Sequence, residues 1–279
     1  MSVQNFIPQL WSTRINTVLL KSLVYGNVAN TDWEGEIREV GDAVRINSVG
    51  PVTIGNYVRN STVITPEQVE NDQLLLTIDQ AKYFAFQVDD LDRAQANVNF
   101  ISTAMERAAW GLRNEADKYI AALWSQASSV TAATAVNSVN VLAALLTLGQ
   151  KLTELNVPMD GRWAVIPPWM HTKLVLAKVI VEAKIEDAAF VEGFVGRAAG
   201  FDLYVSNNVP IVTTAGVDQY KVMGGTSKSI TFAAQIDKVE AYRPHQSFSD
   251  AVKGLYLFGA KMVYPDACAV LDASYSAEP

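Results

Sequence analysis

The sequence predicts an α+β protein, and three features of its patterning carry that prediction. Apolar and polar residues alternate over residues 41–89, which is the period of strands. From about 99 to 127 apolar residues recur every three or four positions, which is the period of a helix. Beyond it, short helical and strand-like runs interleave, with no internal repeat.

Residues 1–30 mix scattered apolar side chains (Phe6, Ile7, Trp11, Ile15, Val18, Leu19) with Pro8 and a polar remainder, and contain one short amphipathic stretch at 12–23. The segment reads as an arm lying on neighbouring subunits, with a first core helix as the alternative. In the strand region Val44 and Ile46 alternate with Arg45 and Asn47, and Val52 and Ile54 flank Thr53. Leu74, Leu76 and Ile78 alternate on the return, followed by Phe84, Phe86 and Val88. Between these runs, residues 55–73 have almost nothing from which to build a core. A two-stranded hairpin is marginal alone in water, so this one is expected to cover a surface on another chain.

Asp89, Asp90 and Asp92 lead into the long helix, whose expected apolar face is Ile101, Ala104, Ala108, Leu112, Ala116, Ile120 and Leu123. Glu106, Arg113, Asp117 and Lys118 fall off that face. At 1.5 Å per residue the helix would run roughly 40 Å. Residues 125–140 read as a crossing into a second, mixed α/β lobe. There the sequence predicts a helix at 140–155, a strand at 163–166, and a helix opened by Pro167-Pro168 and reaching about Ile180. Strands are expected near Leu203, Val222, Ile230 and Val239. After Pro244, the runs 254–264 and 267–270 are strand-like and are expected to return to the first lobe.

Composition limits what such a chain does. With 279 residues and 49% hydrophobic content, it is long enough for one large or two modest domains, burying roughly 75% of its unfolded surface. Charged residues make up 18%, below the usual ~25%, which suits a subunit covered by neighbours. A formal charge of -7 and few cations in the first thirty residues, Arg14 and Lys21 alone, argue against tight nucleic-acid binding. The lone Cys268 excludes an intrachain disulfide and, within an apolar run, is expected to be buried. The start has no basic n-region, and the apolar runs are too short to span a bilayer.

The sequence shows no local catalytic motif and no metal-ligand spacing. His171 and His245 are the only histidines, and neither has a partner at metal-ligand spacing. His171 is expected to be a partly exposed polar residue. The Asp89, Asp90, Asp92 cluster suits the first turn of a helix, where acids complement the dipole, better than it suits a cation site. Gly224-Gly225-Thr226-Ser227-Lys228-Ser229 lacks the glycine spacing of a phosphate loop, since Ser227 and Val222 stand where glycines belong, and reads as a tight strand connection. No nucleophile elbow is present. No catalytic residue, cofactor or metal is therefore assigned.

Several phrases, in order, resemble major capsid proteins of tailed phages with the Hong Kong 97-type fold. They are Phe6-Ile7-Pro8-Gln9-Leu10-Trp11-Ser12, Asp32-Trp33-Glu34-Gly35, Gly41-Asp42-Ala43-Val44-Arg45-Ile46 and Lys82-Tyr83-Phe84-Ala85-Phe86-Gln87-Val88-Asp89-Asp90. Further on come the stretch from Gly200-Phe201-Asp202 to Asn208-Val209-Pro210 and Ser229-Ile230-Thr231-Phe232-Ala233-Ala234-Gln235-Ile236. The resemblance implies an N-terminal arm (1–35), an extended β-hairpin loop (36–89), a peripheral domain with a spine helix (90–129 and 246–279) and a mixed α/β axial domain (130–245).

It also implies hexamers and pentamers tiling an icosahedral phage shell around double-stranded DNA, with a hinge absorbing the difference in curvature. Some relatives weld their shells through a loop lysine. This chain has no Lys between Asp42 and Ala81, so a non-covalent shell is expected. A separate scaffolding protein is implied, unless an N-terminal extension was cleaved, together with a portal, and the resemblance allows a decoration protein. Expected intersubunit contacts are Phe6 and Trp11 in the arm and Gly50, Pro51, Tyr57 and Arg59 in the loop. An encapsulin-type compartment, which shares the fold, and a soluble α/β enzyme are the alternatives.

Overall fold

The computed structural model describes residues 24–32, 43–49, 54, 56, 59, 71–89, 100–178, 193–244 and 249–278. A short helix α1 (Val24–Val28) is followed by an antiparallel pair, β1 (Ala43–Val49) and β2 (Asn71–Thr77). Their register runs from Ala43 opposite Thr77 to Val49 opposite Asn71. The alternation that predicts these strands also sets which side chains turn inward: Ile46 and Leu76 are buried, while Leu75 is exposed.

Strand β3 (Gln80–Asp89) leads towards the long helix α2 (Phe100–Ala122), which ends in a 3-10 turn at Leu123–Gln126. The buried stripe of α2 is rotated from the expected face. Met105 and Ala109 are buried where Ala104 and Ala108 were expected; Leu112, Ala116, Ile120 and Leu123 follow as anticipated. An unbroken series of fours drifts by about 40° per step around a 3.6-residue helix. The spacing 105, 109, 112, 116, 120, 123 mixes fours with threes and stays on one side. Asp117, expected on the polar face, is buried at 4% exposure.

Helix α2 lies on a three-stranded antiparallel sheet of order β11-β12-β3, built from β11 (Ile230–Tyr242), β12 (Ser249–Met262) and β3. Tyr119 of α2 meets Phe258 of β12 edge to face, with ring centroids 5.6 Å apart. The strands expected near Ile230 and Val239 are one strand, with a register shift between Ile236 and Lys238.

The second lobe is an eight-stranded mixed sheet. Its path is β4 (Ser129–Val130), β13 (Cys268–Tyr275), β10 (Val217–Thr226), β6 (Arg162–Ile166), β8 (Phe201–Val205) and β7 (Phe194–Ala198). Off this path, β5 (Thr134–Val136) pairs with β13 and β9 (Ile211–Thr214) with β10. The 125–140 crossing is thus not free of structure: β4 and β5 both run parallel to β13. Helix α3 (Val141–Glu154) buries Leu145, Leu148 and Leu152 in the core, and α4 (Pro168–Leu176) buries Met170 and Leu174. Pro168 opens α4 as the sequence predicts, since the first turn of a helix needs no proline N–H. His171 is half-buried.

Strand pairing divides the chain differently from the expected boundaries. β11 belongs with β12 and β3, whereas β13 sits inside the eight-stranded sheet between β10 and the parallel β4 and β5. The expected break at residue 245 falls inside the β11–β12 pair, whose register runs from Ile230 opposite Met262 to Tyr242 opposite Ala251. A ladder of that length is one hydrogen-bonded unit and does not split between lobes. The Gly224-to-Ser229 segment is a tight connection from β10 to β11, closed by the Ser229 N–H and hydroxyl donating to the Thr226 carbonyl at 3.0 and 2.6 Å.

Candidate intersubunit interface

The hairpin β1–β2 is anchored at its root within its own chain. Ile46, Leu76 and Ile78 are buried against Ala233 of β11 and Leu257 of β12, with Leu74, Leu255 and Val263 at the rim. Polar contacts reinforce that seat. The Tyr119 hydroxyl donates to Asp79 Oδ1 at 2.9 Å, and Lys261 Nζ donates to the Leu75 carbonyl at 3.1 Å. Burial first, and then the Asp79 carboxylate, push the Tyr119 hydroxyl up to about 12, so it stays a hydrogen-bond donor at any physiological pH. The expectation that the hairpin finds its partner only on another chain therefore does not hold for its root.

Its distal part is different. Ile54 is 95% exposed and Arg59, in a turn, is exposed too. An isoleucine so open within its own chain is a candidate for cover by a neighbour. Of the other contact candidates, Phe6, Trp11, Gly50, Pro51 and Tyr57 lie outside the described residues, as do His245, Asp90 and Asp92.

Sequence reasoning missed other exposed apolar positions. On β3, Phe84 and Phe86 turn inward and stack at 6.2 Å, which leaves Tyr83 outward at 80% exposure. The alternation around Tyr83 held this signal. Trp110 stands out from α2, and the β9–β10 hairpin presents Ile211, Val212 and Val217. Side-chain hydrogen bonds cross that hairpin, from the Thr213 hydroxyl to Asp218 at 2.7 Å and from the Thr214 hydroxyl to Gln219 at 3.3 Å.

The buried charges serve structure. Lys221 and Asp272 sit opposite each other on β10 and β13, paired at 2.6 Å, with Lys221 over the Trp124 ring. Arg162 donates to the carbonyls of Gly149, Val157 and Pro158, tying α3 to the start of β6. Burial pushes the Cys268 thiol up to about 12, which makes it a poor nucleophile. Among the described residues no three His, Cys, Asp or Glu side chains gather as a metal site, and no helix is long and apolar enough to cross a membrane.

A family model described as phage capsid protein matches residues 71–271. A chain of Mycobacterium phage Che8 superposes with a TM-score of 0.73 at 27% identity, covering 90% of this chain and 91% of that one. The capsid structure of cyanophage P-SCSP1u gives 0.69 at 19% identity over 92% and 89%. A virus-like particle from Pyrococcus furiosus gives 0.62 at 12% identity over 95% and 98%, a likeness of fold alone. No curated protein matches by sequence. The hairpin rooted on the sheet under a long helix, with the mixed lobe beyond it, is the Hong Kong 97-type fold, and this chain belongs to the phage capsid protein family, as a major capsid protein that self-assembles into the virion shell.

Proposed function

We propose that the chain forms the hexamers and pentamers of an icosahedral shell around double-stranded DNA, held together without covalent crosslinks and without catalysis. The observation that carries this reading is the hairpin, seated on its own sheet at the root yet bearing the open Ile54 further along. The residues from 43 to 81 contain no lysine from which a loop crosslink could form. Apolar and hydrogen-bonded overlap between subunits, multiplied by symmetry, would then supply the cohesion.

The net charge of -7 favours an enclosed genome neutralised by counterions and not gripped by the wall. Of the proposed arm, residues 1–35, the part upstream of α1 would lie on neighbouring subunits. Assembly in the host cytoplasm would use a separate scaffolding protein and a portal, with room for a decoration protein on the outside of the finished shell.

The test is size-exclusion chromatography with negative-stain electron microscopy, on the protein expressed alone and with its neighbouring phage genes. Closed shells or capsomer rings are expected, running on a denaturing gel as a single band near 30.4 kDa. A folded monomer under both conditions would overturn assembly, a ladder of multimers on the gel would overturn the non-covalent shell, and protein cargo in place of DNA would favour a compartment.

A further inference from the structure

We propose that Asp117 is a proton-responsive pin that holds helix α1 between the spine helix and the eight-stranded sheet, more firmly when protonated than when ionised.

The geometry comes first. Asp117 lies on α2 and is 4% exposed. Its Oδ1 accepts the backbone N–H of Tyr25 at 3.2 Å. The Val24 N–H and the Asn208 side chain also bond to the carboxylate. One side chain therefore joins three elements: α1, α2, and the loop after β8. The N–H groups at the start of a helix have no partner within it, so a single acceptor fixes the upstream end of α1.

Packing brings the same elements together. Tyr25 is fully buried, and its hydroxyl has no hydrogen-bond partner among the described residues. Val24 Cγ2 lies 3.1 Å from where a Cβ on Gly193 would stand, so the chain before β7 comes this close only because residue 193 is glycine, with φ +84°. The downstream end of α1 is fixed independently. Asn30 donates to the Ile230 carbonyl at 2.8 Å and accepts from the Phe232 N–H at 2.9 Å. Loosening Asp117 would thus free the upstream end of α1 and leave its downstream end sewn to β11.

The sign follows from what surrounds the carboxyl. Among the described residues Arg113, one turn earlier on α2, is the cation that acts on it, and Tyr25 faces it from α1, with the buried Cys268 of β13 close to the tyrosine. Asn208 is the polar contact from the eight-stranded side and does not titrate. Burial outweighs the three hydrogen bonds and Arg113, raising the carboxyl to about 6. When α1 lifts away the carboxyl meets water and returns towards its ordinary value of 3.8. The seated state therefore binds the proton more tightly, and by linkage mild acid favours seating while ionisation above about 6 favours release. Full solvation on release would change the opening equilibrium about tenfold between pH 5 and pH 8, nearly all of it below about pH 7.

Hydrogen exchange of the amides at 24–28, measured on assembled protein from pH 5 to 8 and corrected for intrinsic exchange rates, tests this. Opening is expected to increase as pH rises through 6. In Asp117→Asn the slope should vanish, with protection staying at its low-pH level. Protection that is flat with pH in the native protein, that slopes the other way, or that keeps its slope in the variant overturns the proposal. Should Asp117→Asn not fold, Asn208→Ala decides: losing one bond to the ionised form must raise the midpoint, and an unmoved midpoint refutes the pin.

Discussion

Replacing Leu76 by alanine tests whether the hairpin is a separable unit seated on the body. Leu76 is fully buried, but its cluster is small and rimmed by the half-buried Leu74, Leu255 and Val263. Buried Leu→Ala changes cost about 2.7–5 kcal/mol, rising with the cavity left behind. A site at a sheet edge collapses more readily than one in the main core, so about 3 kcal/mol is expected here. At about 1.4 kcal/mol per decade, that is roughly a hundredfold rise in hairpin opening.

The control is Leu148→Ala, a cavity in the large cluster beneath α3. Leu76→Ala should raise hydrogen exchange in β1 and β2 with little change in the melting temperature of the subunit, and should lower shell yield. Leu148→Ala should lower the melting temperature and leave the hairpin's relative protection alone. If both variants lower global stability equally and hairpin exchange simply follows, the hairpin is part of the core and the reasoning fails.

Three further outcomes follow from the buried chemistry. Asp272→Ala strands Lys221 without its partner and should cost about 3–5 kcal/mol in a denaturant melt, whereas Lys221→Met with Asp272→Leu should restore most of it. An equal loss in both variants would mean that packing, and not charge, dominates the site. Cys268 should resist iodoacetamide at pH 8 in the folded protein and react once unfolded, because its thiol is held near 12 by burial; rapid labelling of the native state would contradict that. Gly225→Ala places a Cβ 2.6 Å from the Ala267 carbonyl oxygen and should cost about 1–3 kcal/mol, and an unchanged melt would show that the backbone there yields easily.

What was legible in the sequence was what depends on local period. The alternation at Val44, Ile46, Leu74, Leu76 and Ile78 announced β1 and β2, and the Pro167-Pro168 pair announced α4. The buried stripe of α2 was read one residue off at its start, because alanine at 104 and 108 mimics an apolar position without needing burial. Asp117 was illegible for a related reason: an acid on a helix reads as solvent-facing until the segment that covers it is known, and that segment lies 92 residues away in sequence. Strands β4 and β5, two and three residues long, have no room for a period. The allotment of β11 and β13 to different sheets depends on pairing between distant strands, which composition does not encode. Of the six proposed contact residues only Arg59 is described, and it is exposed in a turn.

A shell that uses one chain in rings of five and of six must absorb a difference in angle somewhere, and the connections between the two sheets bear on where. Three passes of the chain lie side by side there: the 3-10 turn into β4, β10 into β11, and β12 into β13. They are tied to one another. The Ser229 carbonyl accepts from the N–H groups of Val263 and Tyr264 at 2.9 and 3.3 Å, and the Pro265 carbonyl accepts from the Ser128 N–H and hydroxyl at 3.3 and 3.1 Å. Ser229 is fully buried. Swinging one sheet against the other would break several of these bonds together, and each buried group left unpaired costs about 1–3 kcal/mol. A single linker would bend for far less. We infer that the body formed by the two sheets keeps its shape from one ring to another, so that adjustment falls on the contacts between subunits.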